Sequence, residues 1–186
     1  MINILVVSDT HGRYFALEEI LERQLALPQK FRPTHLIHLG DGVADVLECK
    51  TARKLCTHIV KGNCDDFFFC HSNGVPDERL VELGGYKILI MHGNKYSVKS
   101  GDGKAIVYAA SCDADLLLYG HTHRPVSFTV EKGTEAEGFL LKKDLLVMNP
   151  GSLGYDGNFG VVTLLPEGIY LSHGNNKKSD AFASDI

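Results

Sequence analysis

Seven residues of this chain are of types that bind metal and fall where strands should end: Asp9, His11, Asp41, Asn63, His92, His121 and His123. Ile4-Leu-Val-Val-Ser runs into Asp9-Thr-His11, His35-Leu-Ile-His-Leu-Gly into Asp41, and His58-Ile-Val-Lys-Gly into Asn63. Ile88-Leu-Ile-Met leads to His92-Gly93, and Leu116-Leu-Leu-Tyr-Gly to His121-Thr-His123. Each motif has an ordinary explanation when taken alone. A His-x-His can be two imidazoles on one strand face, and a Gly-Asp can be a turn. Five in succession, each closing an apolar run, do not read as core or turn residues. Imidazole, carboxylate and carboxamide donors without a thiolate suit borderline divalent ions: Mn²⁺, Ni²⁺, Co²⁺, Fe²⁺ or Zn²⁺.

The elements that must carry these residues follow from hydrophobic periodicity. Ile2–Val7 is a β-branched, nearly all-apolar run, the pattern of a strand buried on both faces. Leu17, Ile20, Leu21 and Leu25 recur at helical spacing, and Pro28 marks a stop. Strands are expected at 35–39 and 58–60, with a helix over 43–55 between them. This alternation is that of a parallel sheet with right-handed crossovers. The second half changes character. Gly84-Gly85 between 81–83 and 86–91 is a two-residue hairpin signal. A helix is expected over 104–112, capped by Ser100 or Asp102, then a buried strand at 116–119. Strands and turns follow, at 126–130, 139–141, 145–148, 161–165 and 169–171. Two mixed sheets packed face to face, with helices outside, accommodate both halves. In open α/β sheets ligands bind beyond the carboxyl ends of the strands. Neighbouring strands lie about 4.8 Å apart, so residues at those ends can converge.

Composition narrows the function classes. A chain of 186 residues is expected to form one domain, over 1–173, with a polar and frayed tail over 174–186. The net charge of −4 makes long nucleic acid a poor partner, since little counterion release would favour binding. Lys95, Lys99 and Lys104 form the one basic group expected near the strand ends. The five cysteines are odd in number and contain no Cys-x-x-Cys pair, so they suggest free thiols and a reducing compartment. The N-terminal apolar run has no basic leader, and no run approaches the ~20 residues of a membrane span. A cytoplasmic protein is the expectation.

The ordered motifs resemble those of the calcineurin-like metallophosphoesterase superfamily, over most of the chain. Gly62-Asn63-Cys64-Asp65 and Asn149-Pro150-Gly151-Ser152 are most similar to its small bacterial and archaeal phosphodiesterase branch. The resemblance implies a four-layer αββα fold and two divalent ions, Mn²⁺ foremost. Asp9, His11, Asp41 and His123 would hold one ion, and Asp41, Asn63, His92 and His121 the other. A bridging carboxylate permits ions roughly 3.5–4 Å apart, the spacing used for in-line displacement at phosphorus. A water or hydroxide between them would be the nucleophile. The implied substrate is a small phosphodiester, with a phosphomonoester as the alternative.

Many members carry His where this chain has Cys64, a place associated with leaving-group protonation. A thiol of reference pKa ~8.5 matches that role poorly, and Cys64 reads first as filler. Asp65 would position Cys64, His92 or a water, or cap a turn. Relatives are commonly dimers or tetramers, so a homo-oligomer is a further expectation. The rival reading is a non-catalytic scaffold on the same fold, like the retromer subunit; a mononuclear zinc hydrolase would leave ligands unused. Phe67-Phe68-Phe69 reads as core, or else as a cleft wall or subunit contact. Asn149–Ser152 reads as a turn shaping the cleft rim. His35, His38, His58, His71 and His173 read as surface or packing residues.

Overall fold

The structure, a computed structural model, describes residues 1–177. The first half alternates as expected: β1 (Ile2–Val7), α1 (Tyr14–Leu25), β2 (His35–His38), α2 (Val43–Glu48), β3 (Cys56–Ile59) and α3 (Phe67–Ser72). The hairpin β4 (Glu78–Leu83) and β5 (Tyr86–Met91) follows, then α4 (Gly103–Ser111), β6 (Leu116–Tyr119) and β7 (Val126–Val130). A short ribbon of β8 (Glu135–Ala136) and β9 (Phe139–Leu140) leads to β10 (Leu145–Asn149), α5 (Leu153–Asp156), β11 (Asn158–Leu165) and β12 (Gly168–Asn175).

Two five-stranded mixed sheets result, in the orders β12-β11-β1-β2-β3 and β4-β5-β6-β10-β7. The strands β1, β2 and β3 run parallel, as do β5, β6 and β10; the outer strands pair antiparallel. Period-2 alternation sorts the side chains into layers. Ile4, Val6, Ile37 and Leu39 face Ile88, Ile90, Leu116 and Leu118 in the core between the sheets. The intervening Leu5, Val7 and Leu36 pack on Leu17, Ile20 and Leu21 of α1. On the far side Leu89, Met91 and Leu117 meet Ala105, Ile106 and Ala109 of α4. This is the αββα sandwich expected from the sequence. Gly84 and Gly85 both take positive φ, 59° and 86°, as a tight hairpin between right-twisted strands requires.

Several local expectations fail for identifiable reasons. The helix expected over 43–55 ends at Glu48 because Cys49 turns extended. Thr51 Oγ1 and Cys49 Sγ then donate to Glu18 of α1, an interaction no local pattern announces. Asp102 sits at the N-cap of α4 without capping it; its carboxylate accepts from the Tyr119 hydroxyl at 3.0 Å. Phe67-Phe68-Phe69 is not core. The short helix α3, capped by Asp66, buries Cys70 against Val43 and Val75, so the three rings fan outward and Phe68 is 77% exposed. The polar tail begins later than expected: Gly174 and Asn175 pair with Phe159 and Asn158, completing β12. The remainder of that expectation, 178–186, lies outside the described residues.

Candidate metal centre

The ends of β1, β2, β3, β5 and β6 bring the candidate ligands to one edge of the sandwich, on backbone that few sequences adopt. Asp9, His11, Asp41, His121 and His123 have φ of 55°, 49°, 56°, 67° and 60°. Left-handed conformations cost a non-glycine residue about 1 kcal/mol or more and persist only where the surroundings dictate them. Here the surroundings are a lattice of hydrogen bonds. The Asp9 N–H donates to Gly40 O at 3.0 Å and the His11 N–H to Asp41 O at 2.9 Å. Ser152 Oγ and the Gly154 N–H both donate to Asp9 O. A Cβ at Gly62 would collide with the Asp41 carboxylate, so the two loops can approach this closely only with glycine there.

The side chains form two adjoining groups. In one, His123 Nε2 lies 3.2 Å and His11 Nε2 3.8 Å from Asp9 Oδ1, with the two nitrogens 3.4 Å apart. In the other, His92 Nε2 lies 3.3 Å from Asp41 Oδ2 and 3.2 Å from His121 Nδ1. Asp41 Oδ2 is also 3.8 Å from His11 Nε2, so this carboxylate stands between the groups. Asn63 follows β3 on the neighbouring loop and donates through Nδ2 to Cys64 Sγ, leaving its carboxamide oxygen as the metal-capable atom.

Hydrogen bonds and charge prepare these atoms. His92 Nδ1 is 2.7 Å from Leu39 O and donates to it, which directs the Nε2 lone pair into the site. Burial raises the Asp41 carboxyl, but hydrogen bonding and charge from His92, with the Cys64 N–H, outweigh it and hold the group well below the usual carboxylate range. Burial likewise opposes charge on His92, and Asp41 and Asp9 reverse the effect, raising its pKa. His121 is pushed down by burial, then by His92 and Lys99. Cys64 is exposed as a residue, yet its thiol is pushed up to about 11 by partial desolvation and by Asp41, Asp65 and Asp9.

The chain's other polar residues at this edge act on backbone. Both oxygens of Asp65 are taken up by the N–H groups of Asp41, Gly42, Val43 and Gly62, each at 2.8 Å. Of the roles expected for Asp65, turn capping is the one this geometry supports. Asn149, fully buried, donates to Gly120 O and Thr122 Oγ1 and accepts from the Gly151 N–H, a rim-shaping turn. Sequence reasoning missed Asp45, whose Oδ2 accepts from Thr10 Oγ1 at 2.6 Å and from the Gly12 N–H at 3.0 Å. It also missed that His38 supports this loop. Burial keeps the imidazole below its usual pKa, and it accepts from the Gly40 N–H while lying 3.3 Å from Thr10 Oγ1. Neither residue was legible as a loop support, because Thr10 and Gly12, which tie them to the His11 loop, lie on another segment.

Two clefts flank the centre. One, of about 730 Å³, is lined by His11, Asp41, Cys64, Asp65, Phe69 and Tyr155. Its Tyr155 ring lies 5.5 Å from that of His123 and 5.2 Å from that of His11, with the Arg13 guanidinium 5.0 Å from its centre. The other, of about 670 Å³, lies beyond Thr122 and includes Lys99, Tyr119 and Arg124. Lys95, expected in the same basic group, is paired with Asp77 at 2.8 Å.

The donors fit divalent metal ions on an observation internal to the site. Asp9 Oδ2 is satisfied by Ser8 Oγ and the His121 N–H, whereas Oδ1 is buried without a hydrogen-bond partner, alone in this among the described residues. An uncompensated buried carboxylate oxygen is costly, and a cation placed among Oδ1 and the two facing Nε2 atoms removes that cost. No helix among the described residues is long and apolar enough to cross a membrane.

Comparison with known proteins agrees with this site. The chain is 29% identical over 151 residues to a probable metallophosphoesterase of Bacillus subtilis, YsnB, covering 81% of this chain and 75% of that one. Among solved structures it is similar to a predicted phosphoesterase of Streptococcus pneumoniae, with a TM-score of 0.69 and 24% identity, covering 93% and 88% of the two chains. It is also similar to Vps29 of Entamoeba histolytica, with a TM-score of 0.64 and 20% identity over 94% and 99%. The family model for the calcineurin-like phosphoesterase superfamily domain matches residues 2–180. With donors, strand ends and a match over nearly its whole length in agreement, the chain belongs to the calcineurin-like phosphoesterase superfamily.

Proposed function

We propose that the chain is a metal-dependent phosphodiesterase with a two-metal centre. Asp9, His11, Asp41 and His123 hold one ion, and Asp41, Asn63, His92 and His121 the other, with Mn²⁺ the first choice. The observation that carries this reading is the partnerless Asp9 Oδ1 facing two imidazole nitrogens, beside a second imidazole pair joined through Asp41. When bound, two such ions supply Lewis acidity at phosphorus and lower the pKa of water toward about 7, making it the nucleophile.

The chain's own groups hold that arrangement and select the substrate. Leu39 fixes the His92 tautomer, and Asp65 and Asp45 fix the loops carrying Asp41 and His11. A diester has two substituents on phosphorus; the cleft lined by His11, Asp41, Cys64 and Tyr155 opens on the centre, and a second cleft begins at Thr122 between His121 and His123. The Cys64 thiol, with its pKa near 11, stays protonated at neutral pH. As a weak acid it suits leaving groups that depart without a proton. Five free cysteines fit a reducing, cytoplasmic setting.

The exposed Phe67 and Phe68 favour a second reading, a scaffold working through its surface. Hydrolysis of an aryl phosphodiester with Mn²⁺ separates the two. Wild type and Asp41→Asn are each stripped with chelator and reloaded. The variant should lose on the order of 10²–10³ in rate. Equal activity, or equal inertness across several divalent metals, contradicts it.

A further inference from the structure

At the opposite ends of β2 and β3, three side chains outside the centre also converge. His35 opens β2, and Cys56 and His58 lie on β3, with His35 opposite Cys56 in the parallel register. Cys56 and His58 are two residues apart on one strand and so share a face. The imidazoles of His35 and His58 stack almost parallel, 3° between planes and 6.1 Å between centres. Cys56 Sγ is 3.8 Å from His58 Nε2, and one donor atom from each of the three residues lies within 4.8 Å of the others. Along the chain His35 lies six residues before Asp41 and His58 five before Asn63, at most ~20 Å and ~17 Å if fully extended.

We infer that His35, Cys56 and His58 form a separate site for a single soft divalent ion of the zinc class. Tetrahedral zinc, with Zn–S about 2.3 Å and Zn–N about 2.1 Å, places sulfur and nitrogen ligands about 3.6 Å apart. The Cys56–His58 separation is already close to that value. Thr34 Oγ1 lies 2.9 Å from His35 Nδ1, the contact that leaves Nε2 for a metal and orients the ring. Burial depresses the basicity of both imidazoles, and at His58 the neighbouring His35 and Arg79 add to it, which favours the neutral form a ligand needs. Cys56 is exposed and the two histidines half-buried, which leaves a path for the ion and solvent for its fourth position. One thiolate and two imidazoles select differently from the oxygen-rich centre: sulfur favours zinc over manganese. Because β3 is an edge strand, the ion would clip that edge to β2.

The test uses the full chain, stripped of metal and then titrated with Co²⁺ or Zn²⁺. Wild type should develop a sulfur-to-cobalt charge-transfer band and bind one more Zn²⁺ per chain than Cys56→Ser. Cys64→Ser should keep the band, and His58→Gln should weaken the extra site by well over ~100-fold, beyond the ~10–100-fold of a lost orienting partner. The difference of one ion is independent of how many the main centre holds. Unfolding of the metal-free variants checks that the fold survives. An absent band, a band that follows Cys64, or equal zinc content in wild type and Cys56→Ser overturns the site.

Discussion

The strands β2 and β3 carry metal-capable side chains at both ends, and the two ends are built in opposite ways. At the carboxyl ends, Asp41 is buried on left-handed backbone, beside Asp9 from the end of β1, whose Oδ1 has no hydrogen bond. The loops there are clamped by carboxylates from Asp65 and Asp45. In the other group, His35 and Cys56 open their strands and His58 lies two residues further along β3; all three project from regular strands and remain partly open to solvent. The first arrangement holds left-handed backbone and a buried carboxylate oxygen without a hydrogen bond, which a bound cation would satisfy. The second adds donors to a lattice already satisfied by strand pairing. On the proposed function, metal binding should matter most at the strained end and least at the regular one.

Three changes break or sharpen that contrast. The largest effect is expected from Asp65→Ala, which strips four backbone N–H groups of their acceptor. Each lost partner costs on the order of 1 kcal/mol or more, so denaturant unfolding should show a loss of about 3 kcal/mol or more. Metal affinity at the main centre should fall by about 10–100-fold, read by calorimetry. Zinc binding at Cys56 should not move, and a parallel loss there would mean that the two ends are not independent.

The next effect is on pH dependence of the metal-free chain. The raised pKa of His92 contributes stability that is fully present below its unfolded value of 6.5 and lost as pH rises through the folded one. The depressed Asp41 contributes stability present above 3.8 and lost as pH falls toward its folded pKa. Stability from this pair is therefore greatest between about pH 4 and 6.5. Bound metal displaces the His92 proton, so the loss above pH 6.5 should vanish in the loaded chain. Thermal unfolding against pH, with and without Mn²⁺, reads both limbs; identical curves would sink the assignment of His92. The smallest effect is at Cys64. Replacing it with His should change rates severalfold and flatten their dependence on aryl leaving-group pKa. An unaltered profile would mean that Cys64, exposed at the cleft, takes no part in leaving-group departure.

What the sequence disclosed, and what it withheld, divides along the range of the interactions. Strand ends were legible because period-2 apolar runs stop where Asp9, Asp41, Asn63, His92 and His121 begin. Gly84-Gly85 announced its hairpin because turn chemistry is local. The early end of α2 was hidden, since Glu18 on another element draws Cys49 and Thr51 toward it. Asp45 and His38 were hidden for the same reason: their partners, Thr10 and Gly12, lie across the fold. Phe67–Phe69 misled because three aromatic residues suggest a core, while a six-residue helix can bury only one face and here buries Cys70. Asp65 was singled out by motif, yet its grip on four N–H groups required coordinates.

The central claim is a pair of ions about Asp41, and anomalous scattering from crystals of the chain reloaded with Mn²⁺ addresses it most directly. The account predicts two peaks roughly 3.5–4 Å apart, one among Asp9, His11 and His123 and the other among His92, His121 and Asn63, with Asp41 between them. A single peak, or manganese found only away from these residues, would contradict it.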